Sequence, residues 1–242
     1  MSNPISVIIP SKTASNLVAS VAAVRKHQPD ARIIVVDDGI GWRGLCSEDV
    51  ILCEVIKGAK PFVFSRNVNI GIRAAGDSDV VLLNDDAILE TPNGFGILQQ
   101  ACIDDPSIGA IAAVTDMTGQ PQQHYKGVGV RIVDHFAFVC VFIPHRTREI
   151  IAEITETGDR LDAFHHCLTG GLLDDRFDQG YGSEDRDYCE QVKAVGLKCA
   201  VHDHCFVNHS SLRSSFRGDP TAAGDIWANN RILCEKWRRK FV

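Results

Sequence analysis

Long apolar runs are missing from this sequence. The longest, such as Ile5–Pro10 and Ile33–Val36, are the size of single strands, far short of the roughly 18–20 residues that a membrane span needs. The opening stretch MSNPISVIIP has no basic segment followed by a long apolar one, so no signal peptide is expected. A Cys-x-x-Cys pair is also missing. The nine cysteines (Cys46, Cys53, Cys102, Cys140, Cys167, Cys189, Cys199, Cys205 and Cys234) are odd in number and irregularly spaced. That pattern argues against a disulfide framework and reads as buried thiols in a reducing compartment, so a cytoplasmic location is expected. Nor is there a basic excess. Lys+Arg number 25 against 31 Asp+Glu, a net charge of −6, and a general nucleic-acid binder would usually be basic. Internal repeats, linkers and low-complexity segments are lacking too, which excludes disordered and collagen-like classes. The 242 residues, 45% of them hydrophobic, suffice for one large α/β domain or two small ones.

What is present is an alternation of apolar runs with helix-like segments. Ile5–Ile9, Ala31–Val36, Val50–Ile56, Ser78–Leu83 and Ile108–Val114 read as strands. Between them, a helix is expected from a Ser15 cap to Lys26, with Leu17, Val21 and Val24 on one face, and further helices over Phe64–Ala75 and Pro92–Cys102. The order implies βαβ units, and continuous Val/Ile/Leu runs suit strands buried on both faces. The expected fold class is therefore α/β: a single Rossmann-like, mostly parallel sheet flanked by helices, with a smaller mixed region. In the second half, Phe136–Pro144 reads as a strand, Glu184–Val195 as a helix stopped by Gly196, Lys198–Val207 as an extended stretch and Asp225–Lys240 as a terminal helix. From Arg213 onward there are seven Lys/Arg against three Asp/Glu, so the tail is basic.

Gly39-Ile-Gly41-Trp-Arg-Gly44 follows a strand and matches Gly-x-Gly-x-x-Gly. It lacks both a convincing helix after it and an acid about 20 residues on, so a Gly-rich loop is the preferred reading over a dinucleotide site. Two acidic clusters end apolar strands, Asp37-Asp38 and Asp85-Asp86. Ligands of open α/β sheets bind beyond the carboxyl ends of strands. Acids there can hold ribose hydroxyls, or a hard cation that takes its other ligands from phosphates. Either pair could instead be an acidic turn that caps the next helix. A third cluster, Glu184-Asp185-Arg186-Asp187, opens a helix, where its acids favour the helix dipole. Glu184 and Asp185 differ by roughly 100° around the helix, so one of them could face a cleft. His209 follows 24 residues after Asp185, at the end of an apolar stretch.

Taken in order, these pieces resemble the inverting members of glycosyltransferase family 2, which have the GT-A fold. The pieces are Val7-Ile-Ile-Pro10, Val35-Val-Asp-Asp-Gly39, Ser65-Arg-Asn-Val-Asn-Ile-Gly71, Val80-Val-Leu-Leu-Asn-Asp-Asp86, and Glu184-Asp-Arg-Asp-Tyr-Cys189 with Gly196 and Asn208-His209 downstream. The last block looks like that of rhamnosyl- and galactofuranosyltransferase-like proteins. The resemblance spans about residues 5–211 and implies one domain over 1–242. Within it, about 1–110 would bind the nucleotide-sugar, 111–212 would carry the acceptor and catalytic half, and 213–242 the basic helical tail. It also implies roles. Pro10, Asp37, Asp38, Arg66, Asn84 and Asp85 would lie around the base and ribose of the donor, a UDP-sugar by preference or a dTDP-sugar. Asp86 and His209 would hold Mn²⁺ or Mg²⁺, Asp185 would be the catalytic base, and Gly171 and Glu184 would lie on the acceptor side. Asn84 stands where the family usually has the first Asp of its Asp-x-Asp element.

Inverting transfer needs a carboxylate to take the acceptor hydroxyl's proton, and a cation to steady the leaving diphosphate. Competing readings are a sugar nucleotidyltransferase, whose Gly-rich Arg/Lys signature Pro10-Ser-Lys-Thr-Ala lacks, and a non-catalytic nucleotide-sugar or glycan-binding relative. Cys199, His202, His204, Cys205 and His209 could alternatively form a zinc site. Residues Thr155–Gly170, beside the Gly171–Phe177 motif, read as an acceptor-side loop or a plain insertion. Trp237-Arg-Arg-Lys-Phe241 reads as a solvated helix end, or as a contact with a membrane surface or an anionic lipid-linked acceptor. A cell-surface glycan, a lipid-linked sugar, a small molecule and a modified nucleobase all stay open as acceptors, and general nucleic-acid binding is not expected.

Overall fold

Strand β1 (Ile5–Ser11) alternates its side chains between two faces, and both faces are buried. Val7 and Ile9 enter one core, and Ile8 enters the other. Strands β2 (Arg32–Asp37) and β4 (Asp79–Leu83) repeat this division. Such double burial is why these segments read as unbroken apolar runs. In the computed structural model, the described residues are 2–41, 52–158, 165–178, 182–212, 222–238 and 241. They form a sheet in the order β3-β2-β1-β4-β8-β6-β9-β5, with β7 also on β9. The remaining strands are β3 (Glu54–Lys57), β5 (Ile88–Leu89), β6 (Ile108–Thr115), β7 (Val130–Val133), β8 (Cys140–Ile143) and β9 (Lys198–Asn208).

Helices cover both faces. On one side, α1 (Ala14–His27) and α3 (Gly94–Asp104) bury Leu17, Val21, Val24, Phe95 and Leu98. On the other, α2 (Phe64–Ala75), α4 (His145–Thr157) and α5 (Glu184–Ala194) bury Val68, Ile72, Ile151, Tyr188 and Val192. Each such side chain contributes about 1.5–3 kcal/mol on leaving water. Helix α2 lies so close to β1 that a side chain at Gly71 would overlap Ile8. A last helix, α6 (Ala222–Trp237), packs Leu233 and Trp237 with Cys167 and Phe177 in a third, smaller cluster.

The expected parallel arrangement holds for β3-β2-β1-β4 and for β6 with β9. Strand β8 runs antiparallel between β4 and β6, and β5 and β7 run antiparallel to β9, which makes the second half mixed. Several sequence-based boundaries are corrected. Helix α1 starts at Ala14 after Thr13, so Ser15 is not its cap. Of Phe136–Pro144 only Cys140–Ile143 is strand, because the Gln123 side-chain amide takes both backbone groups of Ala137 and Phe136 turns into the core. The segment after Pro144 forms the helix α4. Gly196, at a φ of 83°, does end α5. Residues 42–51, which include the second half of the Gly-x-Gly-x-x-Gly stretch, lie outside the described residues, as do Arg213 and Arg217.

Candidate active site

The strand order reverses between β1 and β4, since β2 and β3 lie to one side of β1 and β4 to the other. Open α/β sheets bind ligands in the crevice at such a switch point, beyond the carboxyl ends of the strands. Asp85, just past β4, spans this crevice. Its Oδ2 accepts hydrogen bonds from Ser11 Oγ (2.7 Å), Lys12 N (3.2 Å) and Thr13 N (3.4 Å). Asp85 therefore shapes the end of β1. Burial pushes its carboxyl above the usual range, against the bond from Ser11.

Asp86 meets His209 because of a two-residue strand. In β5, Ile88 pairs with Asn208 in antiparallel register. This brings the residues before Ile88 opposite those after Asn208, and Asp86 Oδ1 lies 3.1 Å from His209 Nε2. The loop after β6 sets the ring. Asp116 Oδ1 accepts the His209 backbone N–H at 2.8 Å, and the Met117 carbonyl is 2.7 Å from His209 Nδ1. With Nδ1–H donated to that carbonyl, a neutral ring turns the lone pair of Nε2 toward Asp86. A carboxylate oxygen and an imidazole nitrogen side by side suit a divalent cation such as Mn²⁺. Among the described residues, no group of three His, Cys, Asp or Glu could hold a metal ion. The pair thus fits an ion that takes its other ligands from phosphate oxygens and water.

Asp86–His209 borders a cavity of about 660 Å³ lined by Asn84, His209, Glu184, Asp185, the 117–120 loop and one side of α6. Glu184 and Asp185 open α5 after Ser183, which has a left-handed φ of 75°. The sequence left open which of the two faces a cleft, and both line this one. Burial raises both carboxyls, and in Glu184 the charge of Asp185 adds to the rise. Asp185 Oδ1 accepts the Arg186 N–H at 2.7 Å.

The other predicted residues sit elsewhere. Pro10, Asp37, Asp38, Arg66 and Gly171 do not line this cavity. Asp37 Oδ1 accepts the N–H groups of Gly39 and Ile40, which closes the turn after β2. Asp38 is buried and pairs with Lys60 Nζ at 2.5 Å, while its Oδ2 is buried without a hydrogen-bond partner. Arg66 is half-buried on α2, and Pro10 lies near the end of β1. Gly171 has a φ of 79°, and a Cβ there would stand 2.5 Å from the Arg148 carbonyl oxygen.

The zinc alternative fails on geometry. The β6–β9 ladder jumps from Ala113↔His202 to Val114↔Phe206, and this irregularity puts Cys199 in one core and Cys205 in the other. The described cysteines are free thiols, as expected. Within Thr155–Gly170, no described residue lines the cavity, and His165 bonds back to the carbonyls of Ile154 and Thr155. The tail is also read differently. Trp237 is buried rather than presented outward, and Lys236 Nζ sits between Asp174 and Asp187. Asp116, Lys60 and the α6 wall were missed at the level of sequence. The rule that picked Asp37 and Asp85 would also have picked Asp116, another acid at the carboxyl end of an apolar strand.

A sheet with its crevice at a switch point, acids on its carboxyl edge and a carboxylate–imidazole pair beside a cavity has the layout of a ligand-binding open α/β protein. The family model for glycosyl transferase family 2 matches residues 6–166, and the chain belongs to that family. Asp185 and His209 lie beyond the matched segment. No curated protein is similar at a significant level. Among solved structures, GalNAc-T7 with UDP, GalNAc and Mn²⁺ superposes with a TM-score of 0.69 at 14% identity, over 98% of this chain and 49% of that one. The mannosyltransferase PcManGT from Pyrobaculum calidifontis, in complex with GDP-Man and Mn²⁺, gives 0.62 at 13% identity, over 89% and 59%. The chain thus spans about half the length of the first and 59% of the second. At these identities the likeness shows the fold, a GT-A glycosyltransferase fold.

Proposed function

We propose that the chain is a metal-dependent glycosyltransferase that moves a sugar, with inversion, from a nucleotide diphosphate donor to an acceptor hydroxyl. One juxtaposition carries this: Asp86 and His209 meet at 3.1 Å on the border of the cavity that holds Asp185. A UDP-sugar is the favoured donor, with dTDP- and GDP-sugars as alternatives, and the imidazole nitrogen favours Mn²⁺ over Mg²⁺. The cation, when bound, offsets the charge that builds on the leaving diphosphate. Asp86 and His209 would hold it, and the Met117 carbonyl and Asp116 fix the His209 ring with Nε2 toward Asp86. Asp185 takes the proton of the acceptor hydroxyl as its oxygen attacks the anomeric carbon, in one displacement with no covalent enzyme intermediate. A carboxyl raised by burial is a stronger base than an exposed one, which suits this task. Asp38, paired with Lys60 at the end of β2, is assigned to the side of base and ribose.

The test screens UDP-, dTDP- and GDP-sugars for thermal stabilisation and slow hydrolysis, with and without Mn²⁺. Stabilisation and hydrolysis that need Mn²⁺ are expected. In Asp185→Asn, turnover should fall about 10²–10⁴-fold with Mn²⁺-dependent donor binding kept. Donor binding without turnover under any condition would make the chain a binding relative instead.

A further inference from the structure

Helix α6 does more than close the fold. Its Ile226, Trp227, Asn230 and Leu233 line the cavity that holds Glu184 and Asp185. Positions 226, 230, 233 and 237 form one stripe along the helix, and 227 lies at its margin, one turn from 230. The far end of the stripe is anchored. Leu233 and Trp237 are buried, Trp237 Nε1 donates to Asp187 Oδ1 at 2.8 Å, and Lys236 Nζ lies 2.7 and 2.8 Å from the carboxylates of Asp187 and Asp174. At the near end, a Cβ on Gly182 would come within 3.1 Å of Ile226, which is itself part-exposed. Against this background Trp227 is 78% exposed. A held helix thus leaves a large aromatic face bare at the mouth of the cavity.

We propose that this part of α6 is an acceptor subsite, with Trp227 as the platform on which a pyranose ring of a neutral saccharide acceptor stacks. The proposal rests on the glycosyltransferase reading. An indole face is apolar and electron-rich, which matches the weakly positive C–H face of a sugar ring. Asn230 offers both a donor and an acceptor, suited to neighbouring hydroxyls. Among the described lining residues, the charged or ionisable side chains are Glu184, Asp185, Arg186 and His209. Arg186 stands 4.8 Å over the Phe241 ring and 4.0 Å from Asp134, and His209 meets Asp86. The acidic pair Glu184 and Asp185 accepts hydrogen bonds from hydroxyls and offers no cation to an anionic group, so the wall suits uncharged polyols better than a phosphorylated headgroup.

Wild-type chain, Trp227→Ala and Trp227→Phe are compared in three measurements. These are saturation-transfer NMR with methyl glycopyranosides and neutral oligosaccharides, calorimetry of UDP, dTDP and GDP in Mn²⁺, and sedimentation with anionic phospholipid vesicles. Wild type should transfer saturation to at least one saccharide, seen at its ring C–H protons. The Ala variant should lose about tenfold or more in that affinity, and the Phe variant should fall between. Nucleotide affinity should move less than twofold in either variant. Saccharide binding that is unchanged in Trp227→Ala, or absent in wild type while a nucleotide still binds, overturns the subsite and leaves the glycosyltransferase reading standing. Vesicle binding lost in Trp227→Ala, with saccharides silent, also overturns it, in favour of a membrane contact. Failure of every nucleotide to bind in Mn²⁺ removes the underlying reading and the subsite with it.

Discussion

Lys236→Met tests the link between α6 and the helix that carries Asp185. The ammonium is almost fully buried, and so are its partners: side-chain exposure is 1% for Lys236, 5% for Asp174 and 0% for Asp187. Methionine keeps the length of the side chain and removes the charge, so little cavity is created. Asp174 retains Arg176, which donates from Nε and from Nη2 at 2.6 Å. Burial pushes Asp174 up, yet these bonds and Lys236 together hold it at about 2. Among the described residues, Asp187 keeps hydrogen bonds from the neutral donors Trp237 Nε1 and Gln191 Nε2, and the more distant charge of Arg176. One buried carboxylate thus loses its directly bonded counter-charge, a change that destabilises by about 3–5 kcal/mol. For a chain of this size that corresponds to about 6–20 °C in melting temperature. Urea unfolding at neutral pH measures it. The pH dependence supplies the sign. Burial already holds Asp187 above its usual range, and losing Lys236 raises it further. A carboxyl whose folded pKa exceeds its unfolded pKa loses stability as pH rises through that window and regains it as pH falls. The penalty should therefore shrink on acidification. A loss below about 1 kcal/mol, or one that does not vary with pH, would refute this account of the network. Combining Lys236→Met with Asp187→Asn should restore most of the loss, because the unpaired charge is gone.

Three further outcomes are expected. Because burial raises Asp185 and the base must be ionised, kcat/KM should climb with pH through a limb above the ordinary carboxylate value of about 3.9; a limb at or below pH 4 in a pH–rate profile would contradict this. His209→Ala should weaken Mn²⁺-dependent donor binding tenfold or more by calorimetry, with nucleotide binding in EDTA hardly changed; equal Mn²⁺ titrations for both proteins would show that His209 is not a ligand. Gly171→Ala should destabilise by more than about 1 kcal/mol in urea, since φ is positive and the new methyl meets the Arg148 backbone, and a neutral result would mean the loop can shift.

The first half of the chain was legible because its physics is local. Strands buried on both faces must be apolar throughout, so β1, β2, β4 and β6 stood out within a residue or two. Helix α2 was read to the residue, its Val68, Ile72 and Ala75 spaced as one buried face. The short edges of the fold left weaker marks. Strand β5 has two residues, and β7 leaves Val130 and Ile132 exposed, so neither carries a burial pattern. A side chain also stood in for a ladder, where Gln123 bonds the backbone of Ala137.

By itself the sequence determined the βαβ alternation, the acids at the strand ends and the acidic opening of α5, since strand burial and helix starts depend on neighbours along the chain. Which carboxylates share a site depends on contacts between residues far apart, and only the tertiary structure decided that. Asp86 and His209 meet because β5 pairs with the end of β9. Asp38 is matched by Lys60, and Asp85 is spent on the end of β1. The basic tail, a surface feature when its charges are counted, turns Lys236 and Trp237 inward, because two buried aspartates on other segments draw the ammonium there.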